Sequence, residues 1–187
     1  INVWEVINLC NKHPRVNLHQ PGPGVGGHCL AVDPWFIVEK TPDLAKIIAL
    51  SRETNDSMPQ HVLAKIDDIL KDIEGIKKVT ILGITYKPNI DDIRESPIIK
   101  LIELLDERID YEISVYDPYM KAHKYQAKDI VTASENSDLI VLAVNHDDFN
   151  NLPLQDMARV MRNKNFFDTR NFCNRHDIEN KGFTYFL

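Results

Sequence analysis

Asp138 to Val144 reads Asp-Leu-Ile-Val-Leu-Ala-Val, apolar at every position after the first. A strand with one wet face alternates, whereas a run this uniform belongs in a parallel sheet covered by helices on both sides. The chain from Lys78 onward fits that placement. Val79-Thr80-Ile81-Leu82-Gly83-Ile84 predicts a buried strand, and Ser96-Pro97 predicts the start of a helix carrying Ile98, Leu101, Ile102 and Leu105. Ile113 to Tyr116 predicts a further strand, Met157 and Val160 a helix, Phe166-Phe167 a strand and Phe183 to Tyr185 an edge strand. Strands alternating with helices in this way give a doubly wound α/β sheet. Ligands of such sheets lie beyond the carboxyl ends of the strands. The segments there are Tyr86-Lys87-Pro88, Tyr116-Asp117-Pro118, Asn145-His146 and Asp168-Thr169-Arg170.

Residues 1–75 read differently. Val3, Val6, Ile7 and Cys10 have helical spacing with no cap in front, which reads as a cut inside a longer polypeptide. His13 to Pro34, rich in Pro and Gly, predicts an ordered functional loop. Thr41-Pro42 predicts a helix start, followed by Leu44, Ile47, Ile48 and Leu50 on one face. A second helix is expected from Ser57-Met58-Pro59 through Val62, Leu63, Ile66, Ile69, Leu70 and Ile73, ended by Gly75. These helices are apolar enough to pack against another subunit.

Composition narrows the function. The 187 residues are 43% hydrophobic and 27% charged, as in a soluble globular protein. A net charge of -6 argues against nucleic-acid or anionic-membrane partners, which need a dense basic surface. No apolar run approaches the roughly 20 residues that span a bilayer, and no signal-peptide pattern opens the chain. Three widely spaced cysteines do not form a disulfide framework, so a cytoplasmic setting is expected. The seven histidines show no metal-ligand spacing, and no metal site is predicted.

Gly26-Gly27-His28-Cys29-Leu30-Ala31-Val32-Asp33-Pro34 carries the most chemistry. Two glycines allow close approach of a ligand to the backbone, a thiol follows, and a carboxylate stands four residues on. That is equipment for a covalent thioester step. The competing reading makes Cys29 a small buried hydrophobe, the usual fate of a free cysteine. Cys10 and Cys173 have no comparable surroundings and are read as packing residues. His28 adjoins Cys29, but neighbours in an extended loop point apart, so a Cys–His dyad is not expected. Gly22-Pro23-Gly24-Val25-Gly26-Gly27 satisfies G-x-G-x-x-G in form only, because no strand precedes it and Pro34 follows too soon for a long helix. The turn Ile81 to Lys87 lacks the glycine pattern altogether, so the chain has no dinucleotide fingerprint.

Lys87 and Arg94 flank a loop that leads into the helix at Ser96. Two cations and free amides at a helix start suit a pyrophosphate. Surface pairing with Asp91, Asp92 and Glu95 explains the same residues equally well. Arg170, just past a strand end, is a cation of the same kind.

Five segments together resemble the UDP-glucose/GDP-mannose dehydrogenase family. They are residues 21–36 (PGPGVGGHCLAVDPWF), 51–62 (SRETNDSMPQHV), 81–97 (ILGITYKPNIDDIRESP), 115–118 (VYDP) and 168–171 (DTRN), in family order and at family spacing. His28 and Val32 stand where UDP-glucose enzymes typically carry Ser and Lys, which is similar to the branch acting on UDP-N-acetyl-D-mannosamine. The resemblance implies that residues 1–75 are the later part of a helical dimerisation region carrying the catalytic loop. It implies that residues 76–187 are a Rossmann-like UDP-sugar-binding domain, and that the N-terminal NAD domain lies outside this chain. It further implies a homodimer, NAD as oxidant, and two-step oxidation of the sugar C6 alcohol to a carboxylate through a Cys29 thioester. Asp33 would handle the proton of the hydrolytic water. Backbone at Val25, Gly26 and Gly27, with Arg15, Tyr86, Lys87 and Arg170, would contact the UDP-sugar, and Arg94 would reach the NAD pyrophosphate. By itself this stretch would not turn over. The rival readings are another UDP-sugar (UDP-glucose or UDP-N-acetylglucosamine), a non-catalytic nucleotide-binding or dimerisation module, and a thiol hydrolase that would need a histidine beside Cys29.

Overall fold

The structure, a computed structural model, describes residues 1–120 and 122–187. Four helices come first: α1 (Val3–Cys10), α2 (His28–Lys40), α3 (Lys46–Asp56) and α4 (Met58–Ile69). Strands and helices then alternate as β1 (Lys77–Leu82), α5 (Pro97–Asp106), β2 (Tyr111–Tyr116), α6 (Ile130–Ser134), β3 (Leu139–Leu142), α7 (Leu154–Val160), β4 (Asn165–Asp168), α8 (Arg175–Glu179) and β5 (Thr184–Phe186). The strands form one parallel sheet in the order β2-β1-β3-β4-β5. An α/β domain thus follows a helical segment, as the sequence predicts.

Neighbouring strand residues face opposite sides, and each side builds its own core. Val79, Ile81, Val115, Leu139 and Val141 meet Ile66 and Leu70 of α4 and Leu101 and Leu105 of α5. Leu82, Ile140, Leu142 and Phe166 meet Met157 of α7 and Ile178 of α8 on the other side. Burying each large side chain contributes about 1.5–3 kcal/mol, so both faces need their helices. α5 forms where expected: Ser96 is extended at the cap, its Oγ accepts the Ile98 N–H at 3.3 Å, and Pro97 opens the helix.

The helical segment departs from expectation in several places. Asn2 caps α1, its Oδ1 accepting the N–H groups of Trp4 at 3.0 Å and Glu5 at 3.4 Å. Asn is a preferred cap, and apolar spacing alone overlooked it. The expected loop ends at Gly27, not Pro34, because α2 starts at His28 and carries Pro34 inside it. Pro34 forfeits its own bond to the Leu30 carbonyl, and the helix continues through Trp35 to Lys40. Thr41-Pro42 is a stop rather than a start: the Thr41 N–H and hydroxyl both donate to the Ile37 carbonyl at 3.0 Å, and α3 begins at Lys46. Proline beyond a helix end has this meaning as readily as proline at its first position. Cys10 is exposed rather than packed, since α1 buries only Ile7. The short helices α6 and α8, capped by Asp129 and Asn174, carry too little periodicity to be foreseen.

Candidate functional site

Cys29 and Asp33 are one turn apart on α2, so both project from the same face. Both are exposed, and together with Leu30, Pro34, Ile37 and Ile48 they line a cavity of about 350 Å³. The thiol therefore sits in the first turn of a helix, where backbone N–H groups lack intrahelical partners. Cys29 is not the buried hydrophobe of the competing reading. His28 and Cys29 are consecutive helical positions, which do not face each other.

The glycine loop before α2 is packed rather than free. Gly27 adopts φ +98° and ψ 158°, a conformation nearly reserved for glycine, and a Cβ there would come within 2.9 Å of the Tyr86 ring. A Cβ on Gly26 would collide with the Glu95 carbonyl and reach Pro97 Cδ at 2.9 Å. The Asn55 side chain clasps Val25, accepting its N–H at 2.8 Å and donating to its carbonyl at 3.0 Å. Asn55 lies on α3, so this clasp joins the helical segment to the thiol loop.

At the sheet, β1 is flanked by β2 and β3, and the winding reverses between β1 and β3. Such a reversal opens a crevice at the strand carboxyl ends. Gly83 turns there with φ +84°, and Val144 Cγ2 would lie 3.0 Å from a Cβ on it. Asp117, at the end of β2, is fully buried and accepts the N–H groups of Ile84 at 2.7 Å and Tyr119 at 2.8 Å, with His146 Nε2 at 3.1 Å. Burial alone would raise the Asp117 carboxyl, but the bonds from His146 and Ile84 outweigh it and hold it below the usual carboxylate range.

Arg170 follows β4. Its Nε donates to the Ala143 carbonyl at 2.9 Å, and its guanidinium rests on Gly22, where a Cβ would collide with it. Among the described residues it has no carboxylate within ion-pair distance, and burial lowers its pKa from the ordinary arginine value. A half-buried, unneutralised guanidinium beside a strand end is suited to an anionic ligand. Gly22 also lines a cavity of about 420 Å³ with Trp4, His61 and Phe167.

Lys87 is exposed on the loop after β1. Arg94 is held by Asp92, with Nε at 3.0 Å from both carboxylate oxygens and Nη2 at 2.6 Å from Oδ2. That pairing lowers Asp92 to about 2. For Arg94, surface pairing is what the structure contains. Arg15 is exposed on the loop after α1, its N–H on His13 Nδ1 at 3.3 Å, and no hydrogen bond ties its side chain to the thiol loop among the described residues. The structure thus brings Tyr86 onto Gly26 and Gly27 and Arg170 onto Gly22, while Cys29 and Asp33 share a separate cavity on α2 that directly follows this glycine stretch. Asn55, Asp117 and His146 were missed as site residues. The last two lie in the strand-end segments Tyr116-Asp117-Pro118 and Asn145-His146, which marked the place but no role.

Among the described residues no strand leads into Gly22–Gly27, and the turn after β1 carries Gly83 without the glycine pattern of a dinucleotide site. The residues present therefore do not fit NAD as a complete seat. Among the described residues, no three His, Cys, Asp or Glu side chains are grouped to hold a metal ion, and no helix is long and apolar enough to cross a membrane.

Comparison with known proteins assigns both parts. Residues 80–175 match the UDP binding domain of the UDP-glucose/GDP-mannose dehydrogenase family, and residues 1–57 match its central domain. The chain belongs to the UDP-glucose/GDP-mannose dehydrogenase family. A UDP-N-acetyl-D-mannosamine dehydrogenase of Methanocaldococcus jannaschii is 47% identical over 191 residues, covering 100% of this chain and 44% of that protein. An NDP-N-acetyl-D-galactosaminuronic acid dehydrogenase of Ralstonia nicotianae is 40% identical over 81% of this chain and 37% of its own length. The solved UDP-N-acetyl-mannosamine dehydrogenase Cap5O from S. aureus is similar with a TM-score of 0.83 at 44% identity, covering 100% of this chain and 43% of that one. The chain spans less than half the length of these relatives.

Proposed function

We propose that this chain is the thiol-bearing and UDP-binding portion of an NAD-dependent UDP-N-acetyl-D-mannosamine 6-dehydrogenase. The observation that carries the reading is Cys29 and Asp33 on one face of α2, opening into a shared cavity. Residues 1–75 then belong to the central dimerisation region and residues 76–187 to the UDP-sugar domain. The exposed apolar side chains Leu30, Phe36, Ile37, Leu44, Ile47 and Leu50 support a homodimer through the helical region.

The two oxidations need a hydride acceptor, which family membership implies is NAD, and this chain does not hold it. Its own residues do the rest. The Cys29 thiol adds to the C6 aldehyde and retains it as a thiohemiacetal, so the aldehyde cannot escape. Oxidation of that adduct leaves a thioester on Cys29. Water attacks the thioester carbonyl, Asp33 takes the water proton, and the thiolate leaves as the uronic acid is released. Arg170 binds the UDP phosphates through its unpaired guanidinium, and Tyr86 and Lys87 contact the nucleotide sugar. Backbone at Val25, Gly26 and Gly27 lines the sugar pocket, and Arg15 reaches the partner subunit's site. Arg94, held by Asp92 in this structure, is the residue that would meet the NAD pyrophosphate.

A second substrate reading has one observation behind it, the 40% identity to a relative named for N-acetyl-D-galactosaminuronic acid. NADH formation by the full-length protein carrying this chain tests both, with UDP-N-acetylmannosamine, UDP-N-acetylgalactosamine and UDP-glucose as substrates. Two NADH per UDP-N-acetylmannosamine, little from the others and no turnover in Cys29→Ala are expected. Preference for another sugar replaces the substrate, and turnover surviving in Cys29→Ala overturns the thioester.

A further inference from the structure

We propose that His146 and Asp117 form a buried tether that sets the position of Tyr86 and Lys87. UDP affinity then depends on the tautomer of a side chain that does not touch the nucleotide. The proposal rests on the assignment of Tyr86 and Lys87 to the UDP-sugar.

Both side chains are buried, His146 at 0% and Asp117 at 1% exposure. His146 Nδ1 accepts the Asn89 N–H at 2.9 Å. An accepting ring nitrogen carries no hydrogen, so the hydrogen is on Nε2 and points at Asp117 Oδ2, 3.1 Å away. The same Oδ2 accepts the Ile84 N–H at 2.7 Å and the Thr85 N–H at 3.4 Å. One carboxylate–imidazole pair therefore grips the loop after β1 at both ends, Ile84-Thr85 and Asn89. Tyr86 and Lys87 lie between the grips.

Further contacts stiffen the span. The Thr85 hydroxyl donates to the Lys87 carbonyl at 2.8 Å. Asn89, at φ +61°, accepts the Asp147 N–H through Oδ1 and donates to the Asp147 carboxylate through Nδ2, both at 2.9 Å. The imidazole is packed in this orientation, and a half-turn about its Cβ–Cγ bond would put carbons where Nδ1 and Nε2 now sit. Tyr119 stacks on it at 4.9 Å, Phe149 meets its edge at 5.4 Å, and its Cδ2 lies against Gly83. What the tether fixes is the Tyr86 ring against Gly27, at the start of the helix that carries Cys29.

The test uses the full-length protein with His146→Phe, which keeps the stacked ring and removes both nitrogens, and His146→Asn, which keeps an acceptor near the Nδ1 position. Calorimetry with UDP should show about tenfold weaker binding for the Phe variant, the scale of losing a hydrogen bond or two, and recovery to within about threefold for Asn. Hydrogen exchange should accelerate at residues 84–89 in the Phe variant and stay unchanged in β3 and β4. The ring nitrogen spectrum of the wild type, assigned by its loss in His146→Asn, should show a pyridine-like Nδ1 and a pyrrole-like Nε2, a readout that needs no folded Phe variant. Wild-type UDP affinity in His146→Phe, or a proton found on Nδ1, overturns the proposal. A wild type that binds no UDP overturns the UDP assignment itself and the nucleotide half of this proposal with it, whereas loosened exchange at 84–89 would still support the tether.

Discussion

The Tyr86 ring lies so close to Gly27 that a Cβ on the glycine would come within 2.9 Å of Cε2. Gly27 is also the cap of α2, in a backbone conformation that costs a non-glycine residue of order 1–3 kcal/mol. Gly27→Ala therefore carries both strain and collision at the start of the thiol helix. Gly75→Ala is the control, with φ +79° and nothing within 4 Å of its Cβ. Both variants should melt below the wild type. Only Gly27→Ala should lose turnover in the full-length enzyme, by about a hundredfold, because misplacement by an ångström has that scale. Equal losses in the two variants would refute a role for the contact.

The three thiols should react unequally. Cys10 and Cys29 are exposed, while burial pushes Cys173 up to about 12. Alkylation requires the thiolate, so raising a thiol's pKa shrinks the reactive fraction at any given pH below it. Iodoacetamide at pH 8 should label Cys10 and Cys29 in the folded protein and spare Cys173 until the chain is unfolded, as read by peptide mass spectrometry. UDP-N-acetylmannosamine should slow labelling at Cys29 and leave Cys10 unaffected. Native labelling of Cys173 at a comparable rate would contradict its burial.

Asn55→Ala should act at a distance from its own helix. It removes both bonds to Val25, leaving a half-buried N–H and carbonyl without their partner. Each unsatisfied group costs about 1–3 kcal/mol, less where water can enter. The expected outcome is a lowered melting temperature with a raised KM for the UDP-sugar. A KM unchanged from wild type would mean that the loop holds its shape without Asn55.

The sheet was legible because parallel strands announce themselves. Asp138 to Val144 is apolar at every position after the first, as a strand covered on both faces must be, and Ser96-Pro97 opens its helix as read. The thiol helix was not legible, because Pro34 and Thr41-Pro42 each have two meanings. Proline is tolerated inside α2 at the loss of one bond, and it stops a chain as well as it starts one. Cys29 and Asp33 were singled out from their types and spacing, and α2 places the two one turn apart. His146 and Asp117 were passed over for a different reason. Their roles depend on a loop folded across two strand ends, and no local pattern encodes which amide a buried imidazole will meet.

Acid should expose what Asp117 contributes. Its carboxyl, like that of buried Asp138, would be raised by burial but is held low, Asp117 by the bonds from His146 and Ile84 and Asp138 by those from Arg162 and Lys78. A carboxyl whose folded pKa lies below its unfolded value, about 3.9 for Asp, stabilises the fold fully above that value. The contribution is lost as pH falls through the folded pKa, because the proton must then be bound. Melting temperature should therefore be insensitive to these groups above about pH 5 and fall steeply below about pH 4. Asp117→Asn removes the charge that takes three backbone amide bonds and one from the His146 imidazole. At pH 7 it should cost about 2–3 kcal/mol, the scale of hydrogen bonds to a charged group. A chain of this size should then melt several degrees lower, at about 2–4 °C per kcal/mol. Its acid limb should be shallower than that of the wild type. Parallel curves for the two proteins would show that Asp117 does not titrate with folding.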